Sequence, residues 1–325
     1  MAPPSLNAVL TDLSRNAWAL SAIAVAAERG ILAALATGPQ TVPELARRTK
    51  LQPPTVSAIA DLLASLQLAT RVDQTITASA ELAAAGAGMG AQLVAADICS
   101  TLGALANAAS ASREPERAVE GWAPTDPAVV KAQALLSGVT SEKVAGALQK
   151  IPPIHAALSA PGASFLDMGA GGGGLCIAFA RAYPGLRLVG IEPSAVAIRE
   201  ARRAVAEAGL AERIELRESF GEALTDESVF AAAYVAQMFI PDVAIEGVFR
   251  ATARSLVDNG VMFTGAVVLP GDDLAAAVSR YRGAVWGGGA RSVEAVIRLI
   301  EASGFTGVQT MPAQGFLTPL TARRA

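Results

Sequence analysis

The sequence predicts an α/β chain in which a helical N-terminal part precedes a part built on a mostly parallel sheet. Three observations support this fold class. Apolar residues recur at helical spacing through the first half, short apolar runs alternate with helical segments from residue 164 onward, and four consecutive glycines follow the first of those runs. Alternation of strands and helices is typical of a parallel sheet that is covered by helices.

The composition excludes several classes of protein. The chain has 325 residues, of which 52 % are hydrophobic and 17 % charged, so it can bury a core and is not disordered. This length suggests about two domains. The net charge of −3 gives no basic field for nucleic acid or anionic lipid. One histidine and two cysteines are too few for a structural zinc site, and no metal is expected.

Residues 1–85 are predicted to form an all-helical or winged-helix domain. A helix is expected over 5–29, and Thr41–Glu44 has the Ser/Thr-x-x-Glu capping pattern of a second helix. A third helix is expected over 55–67, and the β-branched run 69–77 predicts a hairpin. Helices followed by a hairpin are typical of winged helices.

This domain is expected to form a homodimer rather than to bind DNA. The third helix, which would have to read the DNA, contains no Lys or Arg. Contacts between cations and phosphates dominate DNA affinity, so no nucleic-acid partner is expected. Burial of the apolar helices against a second subunit explains their composition better.

Neither a membrane span nor a secretion signal is expected. A span needs about 20 apolar residues, and the apolar stretch 86–108 is interrupted by Gln92, Asp97 and Asn107. The N-terminus lacks the basic region of a signal peptide, and the two cysteines show no disulfide spacing. These features predict a reduced, cytoplasmic protein.

A helical connector is expected over residues 86–155. It comprises a helix over 81–112, a Pro- and charge-rich segment to residue 127, and a helix over 129–149. The sequence Ile151–Pro153 should end that helix. We expect the connector to form a lid over the domain that follows, which spans 156–325.

That last domain is predicted from its alternating elements. Strands are expected over 164–168, 186–191, 213–217, 230–236 and 260–268. One helix should follow the glycines and end near residue 182, and two more are expected over 194–208 and 243–256. A hairpin-like pair, 304–310 and 315–321, should end the chain.

The glycines after the first strand predict a ligand-binding turn. Gly169, Gly171 and Gly173 fit the pattern Gly-x-Gly-x-Gly, and with Gly174 in the third place they also fit the dinucleotide fingerprint. Glu192 ends the next strand, where a carboxylate can accept hydrogen bonds from both ribose hydroxyls. That placement suits NAD and an adenosyl sulfonium equally.

Three features favour the adenosyl sulfonium. Asp167 precedes the first glycine by two residues, where a carboxylate can hold an ammonium group or a structured water. The unit lies in the C-terminal half, after a helical domain. The chain also ends in a hairpin-like pair.

The sequence resembles a known family at four motifs. FLDMGAGGGG (165–174) and LRLVGIEPS (186–194) are similar to the first two motifs of class I S-adenosylmethionine (SAM)-dependent methyltransferases. YVAQMFIPD (234–242) resembles their fourth-strand motif and NGVMFTGAVV (259–268) their fifth strand. The N-terminal part resembles the dimerisation domain of small-molecule O-methyltransferases. The resemblance implies a Rossmann-like, seven-stranded SAM-binding domain with an antiparallel last strand.

The resemblance also implies which residues hold SAM. Asp167, Gly169, Gly171 and Gly173 would line its methionine part, Glu192 with the adjacent Pro193 its ribose, Ser219 and Phe220 its adenine, and Gln237 and Met238 its sulfonium. The adenine-contacting position is often Asp in the family, whereas the run here is Arg-Glu-Ser-Phe (217–220), and Phe220 could stack on the adenine instead.

One departure from the family concerns catalysis. Many O-methyltransferases place a general-base histidine just after the fourth strand, whereas this chain has Gln237, which accepts no proton at neutral pH. The nucleophile could ionise unaided, another carboxylate or a tyrosine could serve, or the amine of SAM could attack its own methionine chain. We expect methylation of a small molecule, such as a secondary metabolite or an amino-acid-like compound. The alternative is a SAM cyclase that forms azetidine-2-carboxylate and methylthioadenosine.

Besides Gln237, four residues are candidates for catalysis or for the wall of the site. His155 is the only histidine and could act as a base if it faced the pocket. Trp122 and Trp286 lie in Gly- or Pro-rich segments, where they could form a substrate wall or a cation–π contact with the sulfonium. Tyr281 is one of only three tyrosines and a further candidate.

Overall fold

The structure is a computed structural model, and it describes residues 4–114, 121–122, 124–267, 271, 273–289, 291–312 and 317–325. The chain divides into two compact units, residues 1–102 and 103–325. The division into a domain, a connector and a second domain at residues 85 and 155 stays a prediction.

The first unit contains short helices and a three-stranded sheet. Its helices are α1 (Leu6–Glu28), α2 (Ile31–Leu35), α3 (Val42–Thr49), α4 (Pro53–Ser65), α5 (Ala80–Gly86) and the first part of α6 (Gly90–Ala111). Its strands are β1 (Gln40–Thr41), β2 (Ala69–Val72) and β3 (Thr75–Ala78), in the order β1-β3-β2.

Local signals in the sequence set these boundaries. The Ser5 side chain accepts a hydrogen bond from the Ala8 N–H at the start of α1. The predicted capping box is present, because the Glu44 N–H donates to the Thr41 hydroxyl and the Thr41 N–H to the Glu44 carboxylate. The predicted hairpin is β2–β3, which turns through Asp73 at a φ of 51°. The winged-helix interpretation stays a prediction.

The single helix expected over 81–112 is wrong, because the chain forms two helices there. α5 and α6 are separated at Ala87–Met89, where Gly88 has a φ of 54°. Gln92, Asp97 and Asn107 lie within α6 and do not interrupt it. By length and composition alone α6 could therefore cross a membrane, although such a helix is weak evidence for one.

The second unit has alternating helices and strands. Its helices are α7 (Pro127–Leu148), α8 (Pro152–Ser159), α9 (Gly174–Ala182), α10 (Ala195–Glu207), α11 (Asp242–Ser255), α12 (Leu274–Val285) and α13 (Val293–Ala302). Its strands are β4 (Ser164–Met168), β5 (Arg187–Ile191), β6 (Ile214–Arg217), β7 (Phe230–Val235), β8 (Leu256–Ala266), β9 (Phe305–Thr310) and β10 (Thr318–Arg324).

The seven strands form one mostly parallel sheet in the order β6-β5-β4-β7-β8-β10-β9. β4 pairs with β5 and β7 in parallel, and β10 runs antiparallel to both β8 and β9. The predicted α/β fold with an antiparallel last strand is thus confirmed. Part of the last predicted strand, residues 315–316, lies outside the described residues, as do residues 115–120 and 123 of the connector and residue 268 of the fifth predicted strand.

Two helices near the C-terminal end of this unit were not predicted. α12 and α13 begin after Asp273 and Ser292, whose side chains each accept a hydrogen bond from a backbone N–H of the first helical turn. Both capping signals are therefore present in the sequence. The segment that joins these helices reaches the candidate site.

The side chains of β4 alternate between two cores. Leu166 and Met168 point into a core shared with α11 and α13, while Phe165 packs with Phe179 of α9 on the other face. Asp167 shares the face of Phe165. This alternation follows from strand geometry, and it places the Asp167 carboxylate against Cys176 in the first turn of α9.

Close packing of α7 on α9 explains two of the four consecutive glycines. A Cβ at Gly174 would lie 2.1 Å from the Ala134 carbonyl oxygen, and one at Gly172 would lie 2.6 Å from the Ala134 Cβ. Both contacts are with α7. These two glycines are therefore required by helix packing, whether or not a ligand binds.

A substitution at Gly174 tests this packing. Gly174→Ala should lower the free energy of unfolding by about 1–3 kcal/mol, because the methyl group has no space beside α7. Gly146→Ala, in α7 itself, is the matched control: its Cβ would meet nothing within 4 Å, so the higher helix propensity of alanine should stabilise the chain by roughly 1 kcal/mol. Urea unfolding measures both, and equal stability of the two variants would contradict the packing.

Candidate active site

Three loops meet at the carboxyl ends of β4, β5 and β7, where parallel sheets commonly bind ligands. The glycine-rich loop 169–173 follows β4, and its Gly169 and Ala170 N–H groups both donate to the Ile191 carbonyl at the end of β5. A 3-10 turn, Gln237–Phe239, follows β7. The site is built around these loops.

The glycine-rich loop has a backbone shape that favours glycine. Gly169, Gly171 and Gly173 have φ angles of 88°, 52° and 80°, in the region where L side chains are strained. A Cβ at Gly171 would meet only the Trp122 ring, at 3.7 Å. Gly171 is therefore the part of the loop that a ligand can approach most closely.

Glu192 ties this loop to the next turn. One carboxylate oxygen accepts the Gly171 N–H at 2.9 Å, and the other accepts the Ser194 N–H at 2.8 Å. The residue is buried, and burial raises the pKa of Glu192, an effect that the two N–H donors oppose. The adjacent Pro193 is exposed.

Asp167 is a second buried carboxyl group at this end of the sheet. Its Oδ2 accepts the thiol hydrogen of Cys176 at 3.3 Å. Burial raises the pKa of Asp167 to about 7, the thiol hydrogen bond opposes this shift, and the nearby Glu192 carboxylate adds to it. Tyr234, its register partner on β7, has a pKa raised by burial and by Asp167. A ligand cation would relieve the cost of ionising Asp167.

Gln237 does not present a free side chain to this site. Its amide nitrogen donates to the Gly265 carbonyl at 2.7 Å, and its amide oxygen accepts from Arg291 at 3.1 Å. The side chain is 2 % exposed. The structure thus gives Gln237 a structural role, which does not support the catalytic and SAM-contacting roles predicted for it.

Arg291 is a site-forming residue that sequence reasoning missed. It is buried, and its guanidinium donates to the Gln237 and Ile240 carbonyls, each at 2.9 Å, and to the Asp242 carboxylate. Arg291 and Gln237 are 54 positions apart. No local pattern signals such a pairing, because one arginine before a helix is unremarkable.

Aromatic side chains from three segments cluster beside the turn. The Phe239 ring lies between Trp122 and Trp286, at centroid distances of 5.8 and 5.0 Å. The Arg282 guanidinium lies 4.8 Å from the Trp286 ring centroid. Trp122 also lies against Gly171, so the cluster is next to the glycine-rich loop. The structure therefore brings Trp122 and Trp286 together, and adds Phe239.

The remaining predicted binding residues lie on the same loops. The Ser219 N–H donates to the Glu192 carbonyl at 3.3 Å, which places the turn after β6 beside Glu192. Phe220 is 64 % exposed, so its ring is free to contact a ligand. Met238 is buried within the 3-10 turn, next to Phe239. The roles predicted for these residues stay predictions.

Of the two other residues predicted to be catalytic, His155 is not brought to the site. The His155 ring lies 5.9 Å from that of Tyr183, at the end of α9 remote from the glycine-rich loop. It is exposed, on the helix that enters the amino end of β4. Tyr281 is 58 % exposed on α12. The position of His155 does not support a direct role in catalysis, whereas the role predicted for Tyr281 stays a prediction.

A cavity of about 310 Å³ elsewhere in the unit is not part of this site. It lies between the α7–α8 corner and the outer strands, with Leu148, Phe263 and Met311 among its lining residues. None of its lining residues belongs to the glycine-rich loop or to the turn after β7.

The raised pKa of Asp167 predicts a pH-dependent stability difference. An unfolded Asp titrates near 3.9, so the folding cost of this group is absent below about pH 4, grows as the pH rises and levels off near 7. Asp167→Asn removes that cost. Its free energy of unfolding relative to the parent should therefore increase between pH 5 and 8 by on the order of 2–3 kcal/mol. Asp97→Asn, at an exposed position, is the control. If the free energy of unfolding of Asp167→Asn differed from that of the parent by the same amount at every pH, the burial effect would be contradicted.

Comparisons with known proteins agree with this geometry. Residues 165–260 match a family model described as a methyltransferase domain. No curated protein matches the sequence. The loops that carry Asp167, Glu192 and Gln237 all lie within the matched region.

Solved structures match over almost the whole chain. The mitomycin 7-O-methyltransferase MmcR is 21 % identical, with 98 % of each chain covered and a TM-score of 0.70. Human N-acetylserotonin methyltransferase, solved in complex with SAM, is 16 % identical, with 100 % of this chain and 99 % of that chain covered and a TM-score of 0.66. CalO1, a methyltransferase in calicheamicin biosynthesis solved in its SAH-bound form, is 18 % identical, with 100 % of both chains covered and a TM-score of 0.67. Residues 165–260 thus match a methyltransferase domain, within a chain whose overall fold is similar to the folds of these solved methyltransferases.

Proposed function

We propose that the chain is a SAM-dependent transferase that methylates a small-molecule acceptor without a histidine general base. One observation carries this proposal. Two buried carboxyl groups, Asp167 and Glu192, flank a glycine-rich loop whose Gly171 is open to a ligand, inside the segment that matches a methyltransferase domain. Human N-acetylserotonin methyltransferase, which has this fold, was solved with SAM.

The residues present fit the chemical groups of SAM. Each Glu192 oxygen accepts one backbone N–H and keeps acceptor capacity for a ribose hydroxyl. Asp167 provides a buried negative charge for an ammonium group, directly or through water. The exposed ring of Phe220, beside Ser219, offers a face on which adenine can stack.

The chain also shapes the reaction that SAM supports. SAM supplies a methyl group already activated by its sulfonium, so the protein mainly has to position a nucleophile in line with it. Gln237 cannot accept a proton, and both ends of its amide are bonded within the protein. The only histidine, His155, lies at the other end of the sheet. We therefore propose an acceptor that ionises unaided, such as an acidic enol or a carboxylate.

The similar structures favour a secondary metabolite as the acceptor. MmcR is a mitomycin 7-O-methyltransferase, and CalO1 is a methyltransferase in calicheamicin biosynthesis. Identities of 21 % and 18 % do not carry the acceptors of these enzymes over to this chain, which has its own aromatic cluster of Trp122, Phe239 and Trp286. We propose that this cluster forms one wall of the acceptor site.

We further propose that the protein is cytoplasmic and that it forms a homodimer through its N-terminal part. α1 carries apolar side chains that are at least half exposed within the chain, namely Leu6, Leu10, Leu13 and Trp18. Such a row is unfavourable in water and would be buried against a second copy.

A substitution at Gly171 tests the placement of SAM. Gly171→Val should weaken SAM binding by more than about 100-fold, because the side chain would occupy the open face of the loop and strain its backbone. Gly209→Val is the matched control, since Gly209 also has a positive φ, of 68°, with nothing within 4 Å of its Cβ position. Titration calorimetry measures both affinities. Equal SAM affinity in the two variants would show that the loop is misassigned.

The function itself is tested by incubating the protein with SAM alone and then with acidic small-molecule acceptors. Methyl transfer predicts that SAM stays intact until an acceptor is added and that S-adenosylhomocysteine then forms, as quantified by mass spectrometry. Methylthioadenosine together with azetidine-2-carboxylate in the absence of any acceptor would instead identify a SAM cyclase. An enzyme-free incubation corrects for spontaneous breakdown of SAM.

A further inference from the structure

Arg291 places almost all of its hydrogen-bonding capacity on one short segment. Its guanidinium donates to two backbone carbonyls of the segment, Gln237 and Ile240, to the Gln237 side chain and to the Asp242 carboxylate. Its side chain is 7 % exposed, whereas that of Asp242 is 75 % exposed. A buried guanidinium is unfavourable unless its donors are satisfied, so folding of this region requires the segment to adopt the shape that satisfies them.

We propose that Arg291 is a positioning residue for the proposed reaction. It fixes the 3-10 turn Gln237–Phe239 and, through the Phe239 ring, holds Trp122 over Gly171. The inference rests on the proposed function only for its turnover readout, because the contacts themselves are independent of it.

The chain next to Arg291 supports the same turn. The glycine strap, residues 286–289, follows α12, and its Gly288 N–H donates to the Met238 carbonyl at 3.1 Å. A Cβ at Gly288 would lie 2.3 Å from that carbonyl oxygen. Trp286 of the strap contacts Phe239, and the Gly121 N–H donates to the Val285 carbonyl. Arg291 thus closes a set of contacts that joins the strap, the turn and the segment of Trp122.

The geometry of the contacts requires arginine rather than a positive charge alone. The guanidinium is planar and donates in several fixed directions, and here it reaches two carbonyls, an amide oxygen and a carboxylate at once. A lysine ammonium is a single point that could pair with Asp242 but could not span all four acceptors. Arg291→Lys should therefore restore part of the function that an apolar replacement loses.

The effect should fall on turnover rather than on SAM affinity. The SAM contacts proposed for Asp167, Glu192, Ser219 and Phe220 lie on β4 and on the turns after β5 and β6. The hydrogen bonds of Arg291 go instead to the segment after β7, where Met238 is the remaining predicted SAM contact. The turn and its aromatic ring would instead position the acceptor, and a misplacement of about 1 Å can cost about 100-fold in rate.

The experiment compares Arg291→Met, Arg291→Lys and Asp242→Asn with Arg298→Met, which replaces an exposed arginine on α13. All are made with Trp18→Phe, which leaves Trp122 and Trp286 as the only tryptophans. We expect Arg291→Met to lower kcat about 100-fold, to keep the Kd for SAM within about threefold, and to increase acrylamide quenching of the tryptophans. Arg291→Lys and Asp242→Asn should lie between Arg291→Met and the control.

Two results would overturn the inference. One is that the turnover and the quenching of Arg291→Met match those of the control, and the other is a loss of SAM affinity as large as the loss of turnover.

If Arg291→Met does not fold, Gly288→Ala displaces the same turn. That variant must then show the same pattern, in which kcat falls while the Kd for SAM is kept. If the parent chain neither binds nor consumes SAM, the proposed function has failed. The quenching comparison then decides alone whether Arg291 holds the turn.

Discussion

The buried Glu192 carboxylate is the interaction on which the geometry of the site depends. Removing a carboxylate from water is unfavourable unless hydrogen-bond donors surround it, and here the N–H groups of Gly171 and Ser194 do so. Gly171 can direct its N–H to Glu192 only in a loop with positive φ angles, and Ser194 is the residue that caps α10. The shape of the first loop and the start of the second helix therefore satisfy the same buried charge.

The two sides of the glycine-rich loop have different functions. Gly172 and Gly174 face α7, where no side chain would fit, while Gly171 faces Trp122 across a contact that is no closer than ordinary packing. Rigid packing on one side fixes the loop without any ligand. On the other side, the loop meets Glu192 and Trp122 at Gly171 without such close packing. α7 of the predicted connector therefore supports the loop directly.

The parts of the structure that could be predicted from the sequence are those with local causes. The Thr41–Glu44 capping box, the β2–β3 hairpin and the βα turn after Asp167 each depend on residues a few positions apart, so their patterns are visible in the chain. The Arg291–Gln237 pair, and the meeting of Trp122, Phe239 and Trp286, depend on how distant segments pack. For the same reason His155 was a reasonable candidate by residue type, but the topology of the sheet places it at the opposite end of β4.

The turn after β7 shows how the fold prevents the side chain at position 237 from acting as a general base. A general base has to present a lone pair to the ligand, yet the side chain at position 237 is directed at Gly265 and Arg291. An imidazole at this position would meet a buried guanidinium, which disfavours its protonated form. The segment thus provides rigidity where a base-assisted enzyme would provide a proton acceptor. Under the proposed function, such a segment would act by aligning the acceptor with SAM, which suits a nucleophile that has already lost its proton or loses it without help.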